Sequence, residues 1–236
     1  MSGAEVMIDR RFRGPPDSGN GGYTCGLLAA AIDGPAEVTL RVPPPLDRPL
    51  VIHRRDDGAE LRHGEVVVAH ARPAAVDLDV PAPVSVDEAR AAAERYPWRE
   101  EHPYPSCFVC GPQREAGDGL CVYPGPVEGR DLFAAPWTPD ASLAAPDGTV
   151  RNEFVWAAID CPGGIVADLL GEHGRLLLGR LTADLRAPVL AREPHVVTAW
   201  PIERDGRKLH TATALFAAGE DAPAAVSRAV WIEVAG

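Results

Sequence analysis

The feature that most constrains the fold of this chain is an approximate internal repeat. In its first copy, Asn20-Gly21-Gly22-Tyr23 opens an apolar stretch with helical character. In its second copy, Asn152-Glu153-Phe154 opens a similar stretch. A shift of 131 residues places Ala29 of the first stretch opposite Asp160 of the second, so the glycine pair belongs to one copy and the carboxylate to the other. Self-similarity of this kind predicts one structural module present twice.

Strands are predicted after each helical stretch, because the sequence there alternates or is continuously apolar between turn residues. The first copy predicts strands over residues 38–46, 50–53 and 61–71. The second predicts them over 181–189, 195–200 and 209–218, and adds a last strand over 225–234. A leading strand is predicted before each helix, over 6–12 and 131–137. The whole pattern is that of an α+β protein.

Length and composition limit the classes of protein. The 236 residues, 46% of them hydrophobic, allow two modules of about 100–120 residues with a core each. The sequence contains no run of ~18 apolar residues and opens without the basic and apolar regions of a signal peptide, so we expect a cytoplasmic protein. The net charge of −11 argues against nucleic acid or an anionic membrane as a main partner.

The predicted organisation is a first half over residues 1–75, a linker over 76–129 and a second half over 130–236. Within the linker, residues 87–96 form a predicted short helix with Ser85 as its N-cap and Pro97 at its end. The rest of the linker is rich in proline, glycine and cysteine. We expect it to lie on the surface or across the sheet.

The cysteines leave three interpretations open. Cys107 and Cys110 form a CxxC motif, with His102 before it and Cys121 after it. A zinc site would need four well-spaced ligands and no second such motif follows, while a redox pair would be expected to begin a helix. Reduced thiols without a metal or cofactor are therefore the expectation. Cys25 and Cys161, inside the apolar helical stretches, are expected to be small core residues.

The repeated helix and antiparallel strands resemble the hotdog fold, here as a tandem (double) hotdog in which each half is a long helix wrapped by a curved antiparallel sheet. The segment Asn20-Gly21-Gly22-Tyr23 is similar to the start of acyl-CoA thioesterases, where His or Asn precedes a Gly-Gly pair at the helix N-terminus. Thioesterases of the phenylacetate and hydroxybenzoyl-CoA type place an acid eight residues beyond the first glycine, and Asp160 lies eight residues beyond Asn152. The resemblance covers about residues 5–72 and 130–234, and implies hydrolysis of an acyl-CoA or acyl-carrier thioester, with further assembly into a homodimer.

The length of an α-helix predicts a site composed of residues from both halves. Eight residues of α-helix span about 12 Å, so one helix cannot bring its own N-terminus and its own acid to one thioester carbonyl. Two antiparallel helices can do so, because the start of one lies beside the middle of the other. One pairing then brings Gly21 and Gly22 to Asp160. The opposite pairing brings Asn152 and Glu153 to Ala29. We therefore expect one working site in each chain.

The resemblance and the chemistry together assign roles. Amides at the helix N-terminus, those of Gly22 and Tyr23, would hold the developing oxyanion, and Asp160 would act as nucleophile or as a base that activates water. Asn20 would orient the substrate or donate a hydrogen bond, and Gly21 would allow its close approach. Tyr23, Phe154 and Trp156 are expected to line a tunnel for the acyl chain. No cofactor or metal is predicted.

The same residues allow other interpretations. Asn20-Gly21-Gly22 alone is also typical of an N-cap and its loop, and Asp160 is placed to cap a second helix over residues 165–170 with Pro162 in its first turn. At the level of function, the alternatives are a non-catalytic acyl or small-ligand binding protein and a scaffold that pairs through its sheet edges. The scaffold would be favoured by the lack of a cavity between the halves.

Overall fold

The computed structural model describes residues 3–171 and 173–234, and places every strand of that part of the chain in one antiparallel sheet. The first five strands are β1 (Ala4–Met7), β2 (Ala36–Leu40), β3 (Pro49–Arg55), β4 (Gly58–His63) and β5 (Val66–Pro73). The remaining six are β6 (Gly125–Pro126), β7 (Phe133–Trp137), β8 (Arg175–Leu185), β9 (His195–Asp205), β10 (Lys208–Ala217) and β11 (Ala225–Val234). The order across the sheet is β1-β3-β4-β5-β2-β8-β11-β10-β9-β7-β6.

The strand order repeats the same topology in the two halves. The first half runs β1-β3-β4-β5-β2 and the second runs β7-β9-β10-β11-β8, so these ten strands form five matching pairs, and the short β6 lies beyond β7 without a counterpart. The halves join where β2 pairs antiparallel with β8, with Val38 opposite Leu181. The α+β class and the repeated order of elements predicted from the sequence are both found.

The prediction that only the second copy has a last strand was wrong. Residues 61–71 are not one strand, because the chain turns at Gly64 between β4 and β5. Gly64 has a φ of +56°, which glycine adopts readily. The bounds of several other strands also differ from prediction: β2 ends at Leu40, before the prolines at 43–45, and β1 ends before a short 3₁₀ turn over Arg10–Phe12.

Four α-helices lie in the described part of the chain: α1 (Gly21–Ala29), α2 (Val86–Ala93), α3 (Asn152–Ala158) and α4 (Cys161–Val166). The predicted long helix of the second half is therefore two short ones. Pro162 is the reason, since it lacks an N–H for a continuous helix and fits the first turn of a new one. No helix of residues 3–171 and 173–234 is long and apolar enough to cross a membrane.

Helices α1 and α3 pack against each other with opposite directions. A methyl group on Gly22 would lie 2.6 Å from the carbonyl oxygen of Trp156, and one on Gly26 would lie 2.5 Å from Cα of Glu153. The start of α1 thus meets the end of α3, and one turn further along α1 the contact has moved back toward the start of α3. Two glycines four residues apart on one face of α1 permit this close approach of the two backbones.

The segment between the halves is more deeply packed than the sequence suggested. Its helix α2 is capped as predicted, with Ser85 Oγ accepting from the Glu88 N–H and the Glu88 carboxylate accepting from the Ser85 N–H. Cys107, Phe108 and Cys110, however, lie in the main core and not on the surface. Burial of a side chain such as that of Phe108 stabilises the fold by roughly 1.5–3 kcal/mol. This gain favours packing of the segment into the core over its exposure on the surface.

Candidate functional site

The N-terminus of α1 is shaped by Asn20, which is 2% exposed and occupies the N-cap position. Its side-chain oxygen accepts a hydrogen bond from the Tyr23 N–H at 2.9 Å. Its carbonyl oxygen accepts from the Thr24 hydroxyl at 2.8 Å. The capping role weighed for Asn20 is therefore present, and it uses the Tyr23 amide that was predicted to face a substrate.

Asp160 lies against this same helix end. Its Oδ2 accepts a hydrogen bond from the Gly22 N–H at 2.7 Å and lies 3.4 Å from the Asn20 amide nitrogen. Asp160 stands in the N-cap position of α4, yet its side chain makes no capping bond there. The break between α3 and α4 predicted from Pro162 is real, but the carboxyl group turns toward α1 instead of capping the helix that follows.

Burial controls the electrostatics of Asp160. The residue is 1% exposed, and this desolvation is the main cause that raises the pKa of its carboxyl to about 8. The hydrogen bond from Gly22 opposes the shift, the nearby Cys107 adds to it, and the hydrogen bond from Asn20 opposes it. Oδ1 is buried and has no hydrogen-bond partner within the described residues, so one carboxyl oxygen is free for another group.

A cavity of about 430 Å³ opens beside Asp160. Asn20 and Gly21 of the first half and Asp160 of the second lie in its wall, so the two halves share it. Its apolar surface includes Leu40 of β2 and Leu176, Leu178 and Trp231 of the second half. The middle segment closes the remaining side with Trp98, His102, Tyr104, Cys107 and Cys110.

At the N-terminus of α1, the Gly21 amide is still available. No acceptor in the described part of the chain binds its N–H, and the residue lines the cavity. A methyl group at this position would lie 2.8 Å from Cδ2 of Leu178, so a side chain there would press against the cavity wall. The N–H groups of Gly22 and Tyr23, by contrast, are already bonded within the protein.

The three aromatic residues predicted to line a tunnel do not lie in the cavity wall. Tyr23 stacks on Phe12 with ring centroids 4.4 Å apart, and Phe154 lies 5.7 Å from Tyr23 in the same buried cluster. Trp156 is buried where α3 packs on Gly26. The three rings fill the core beside the two helices. Leucines of the sheet take the wall instead, and the helical pattern gave no signal for them.

The opposite crossing point of α1 and α3 lacks the corresponding groups. Arg151 stands where Asn20 stands in the first half, and its side chain makes no capping bond. Glu153 at the start of α3 packs near Gly26 and pairs with Arg151 at 3.5 Å. Ala29, at the position that matches Asp160, has no ionisable group.

Three thiols meet in the cavity wall close to Asp160. Cys107 and Cys110 come from the middle segment and Cys161 from the first turn of α4, and all three are buried. The sulfur atoms of Cys107 and Cys161 lie 3.7 Å apart. The CxxC motif was visible in the sequence, but Cys161 was expected to be only a core residue. No local pattern connects two positions that are 54 residues apart.

Comparisons with known proteins support the fold. No protein-family model matches the chain, and the curated proteins contain no match. Among solved structures, the tesB protein of Mycobacterium avium subsp. paratuberculosis has a TM-score of 0.62 at 11% identity, over 98% of this chain and 92% of that one. A candidate thioesterase II from Thermobifida fusca YX has a TM-score of 0.60 at 16% identity, over 98% and 92%.

A third structure, a candidate oleoyl thioesterase from Lactobacillus plantarum, has a TM-score of 0.58 at 8% identity, over 100% of this chain and 97% of that one. All three similarities span essentially the whole chain and therefore include both halves and the segment between them. At such low identities they establish a shared fold. The resemblance to thioesterases predicted from the sequence is confirmed at that level.

Proposed function

We propose that the chain is a tandem hotdog protein that hydrolyses an acyl-CoA or acyl-carrier thioester at a single composite site. The observation that carries the proposal is the hydrogen bond between Gly22 N–H and Asp160 Oδ2, in the wall of a cavity shared by the two halves. It joins a helix N-terminus to a carboxyl group, which is the pairing that thioester hydrolysis needs.

The chemistry divides between two helix ends. The free N–H of Gly21, at the positive end of the α1 dipole, is the donor for the thioester carbonyl oxygen, whose negative charge grows as the carbon becomes tetrahedral. Ionised Asp160 attacks the carbonyl carbon, or removes a proton from a water that attacks it. In the first route the C–S bond breaks to leave a mixed anhydride on Asp160, which water then hydrolyses; in the second the C–S bond breaks after the water oxygen has added. In both routes the proton lost by water goes to the leaving thiolate, the acyl group departs as a carboxylic acid, and Asp160 is left ionised.

Gly22 and Asn20 act as positioning residues in this proposal. Both donate to Asp160 Oδ2, which leaves Oδ1 directed at the substrate or water. A donor on the carboxylate also stabilises its ionised form against the cost of burial. The sequence suggested that the Gly22 N–H would hold the oxyanion. Because that N–H binds Asp160, the oxyanion contact is assigned to the Gly21 N–H instead.

The size of the cavity supports an acyl group as the buried part of the substrate. About 430 Å³ lies at the lower end of the range for small-molecule sites, and the wall carries several leucines. We expect the acyl chain to enter the cavity and the CoA or carrier part to stay outside it. The presence of such a cavity removes the support for a scaffold without a ligand.

One observation favours the second candidate function, a binding protein without turnover. A pKa of about 8 keeps Asp160 mostly protonated at neutral pH, and a protonated carboxyl is neither a nucleophile nor a base. The same cavity would then hold an acyl ligand, with the neutral carboxyl donating a hydrogen bond to it. A cytoplasmic location, expected from the sequence features described above, and a dimer of such chains, implied by the family resemblance, are further predictions.

The experiment that separates these functions is a panel of short, medium, long and aromatic acyl-CoAs, each tested for hydrolysis and for binding. Products are resolved by chromatography, because the cysteines would react with a thiol reagent. Turnover above the uncatalysed rate supports the hydrolase. Saturable binding without turnover across the panel supports the binding protein, and the lack of both contradicts an acyl-CoA function.

A further inference from the structure

A cluster of three buried thiols lies outside the proposed reaction and has no role in it. The sulfur atoms of Cys107, Cys110 and Cys161 all lie within 4.8 Å of one another. They come from two distant parts of the chain, the CxxC turn of the middle segment and the start of α4. Each of the three is a free cysteine.

The spacing of the sulfurs fits a metal ion better than a disulfide. Ligands around tetrahedral zinc, with Zn–S bonds of about 2.3 Å, lie about 3.8 Å from one another. The sulfur atoms of Cys107 and Cys161 are 3.7 Å apart, which matches this distance between two ligands. A disulfide would require about 2.05 Å, so these two sulfurs would have to move together by well over an ångström.

Hydrogen-bond donors surround the cluster, as they do around thiolate ligands. Asn20 Nδ2 lies 3.5 Å from the Cys161 sulfur and 3.9 Å from that of Cys107. The backbone N–H groups of Val109 and Cys110 also donate to the Cys107 sulfur. Donors of this kind stabilise the deprotonated sulfur that binds a metal.

His102 belongs to this surrounding layer and not to the ligands. Its Nδ1 accepts the Tyr104 N–H at 2.8 Å, so in the neutral ring the proton is on Nε2. Nε2 therefore donates to the Cys110 sulfur, at 3.3 Å, and its lone pair is not available for an ion.

The fourth position of a tetrahedral ion would face the cavity. All three cysteines line the cavity, as does Asp160, whose Oδ1 is buried without a partner. Soft thiolate ligands select Zn²⁺ over hard ions such as Mg²⁺ or Ca²⁺. We propose that Cys107, Cys110 and Cys161 form a binding site for one Zn²⁺ ion, with its fourth position open to the cavity.

The proposal is tested by Co²⁺ and Zn²⁺ titration of the full chain, reduced and handled without oxygen. We expect one ion per chain and, with Co²⁺, the sulfur-to-metal charge-transfer bands of a thiolate site. Loss of a residue that hydrogen-bonds to a metal ligand typically weakens metal binding about 10–100-fold, and loss of a ligand itself should cost more. We therefore expect Cys107→Ser, Cys110→Ser and Cys161→Ser each to weaken binding by more than ~100-fold. His102→Gln should weaken it by about 10-fold and keep the thiolate bands.

Cys121→Ser is the matched control, because Cys121 lies in the same segment but outside the cluster. It should bind both ions as the unchanged chain does. X-ray absorption of the Zn²⁺-loaded unchanged chain needs no substitution, and should find three sulfur ligands at about 2.3 Å. Fewer than three sulfurs, no binding by a chain whose thiols are shown to be reduced, or equal binding by the cluster variants would overturn the proposal. None of these measurements depends on thioester hydrolysis.

Discussion

The Oδ2 atom of Asp160 lies 2.7 Å from the amide nitrogen of Gly22, although 138 residues separate the two along the chain. The bond holds the carboxyl group at the N-terminus of a helix from the other half of the molecule. It exists because α1 and α3 run in opposite directions in close contact, and because the chain bends at Pro162 just after Asp160. The site therefore depends on both halves.

The first prediction concerns Asp160 itself. Asp160→Asn keeps the size of the side chain but removes the ionisable group, so hydrolysis of the best acyl-CoA should fall by at least about 100-fold. Glu153→Gln is the matched control, because Glu153 is a carboxylate at the opposite crossing of the same two helices. It should leave the rate unchanged if each chain has one working site. An equal loss in both variants would contradict the single site.

The pH dependence of hydrolysis follows from the raised pKa. Asp160 must be ionised to act, and its pKa is about 8, so kcat/KM should rise about tenfold per pH unit below that value and level off above it. The profile is measured over pH 6–9.5, with the uncatalysed rate subtracted at each pH. A rate that is flat between pH 6 and pH 9 would show that Asp160 is not the group that must lose a proton.

The pH dependence of stability tests the same burial without any substrate. In the folded chain the pKa of Asp160 is above its usual value of 3.8, so the folded state holds a proton that the unfolded state releases between about pH 4 and pH 8. This contribution is fully present below pH 4 and is lost as the pH rises, with a slope of up to about 1.4 kcal/mol per pH unit.

The measurement is urea unfolding at several pH values, for the unchanged chain and for Asp160→Asn, with a chelator and a reductant present. Asparagine does not titrate, so the variant should lack this part of the slope. Identical slopes for the two proteins would mean that the carboxyl is not buried as described.

Gly22 is predicted to be the least replaceable glycine of α1. A methyl group there would lie 2.4 Å from Cβ of Asp160 and 2.6 Å from the Trp156 carbonyl oxygen, so Gly22→Ala should destabilise the chain by about 2–3 kcal/mol and reduce activity. Gly64→Ala is the control. It also strains the backbone, at a φ of +56°, but has open space around it, and should cost only about 1–2 kcal/mol without loss of activity. Thermal unfolding and the hydrolysis assay measure both effects.

Leu176 should set the length of the acyl chain. It lines the cavity on β8, so Leu176→Trp reduces the space available and should lower kcat/KM for long acyl-CoAs more than for short ones. Leu190→Trp adds the same side chain at an exposed position outside the cavity and should not change the preference. If both variants keep the original preference, the acyl chain binds elsewhere.

The α+β class, the repeat and most of the strands could be predicted from the sequence, because they follow from local periodicity and from turn residues. The sequence also predicted that Asn20, Gly21 and Gly22 would lie near Asp160, as they do, since a glycine pair at one helix start and an acid at the matching place of the other copy are visible as a pattern. It placed Tyr23, Phe154 and Trp156 in the wrong surroundings, because helical periodicity shows that a side chain is buried but not which neighbours bury it.

The groups that meet in the site could be recognised only in the folded chain. The contact between Gly22 and Asp160, the leucine wall of the cavity and the approach of Cys161 to Cys107 all join positions far apart in the chain. Such contacts depend on how helices and strands pack, and that packing is set by the burial of many side chains together. The pKa of Asp160 is decided in the same way, since desolvation depends on everything that surrounds the carboxyl group and not on the residues beside it in the sequence.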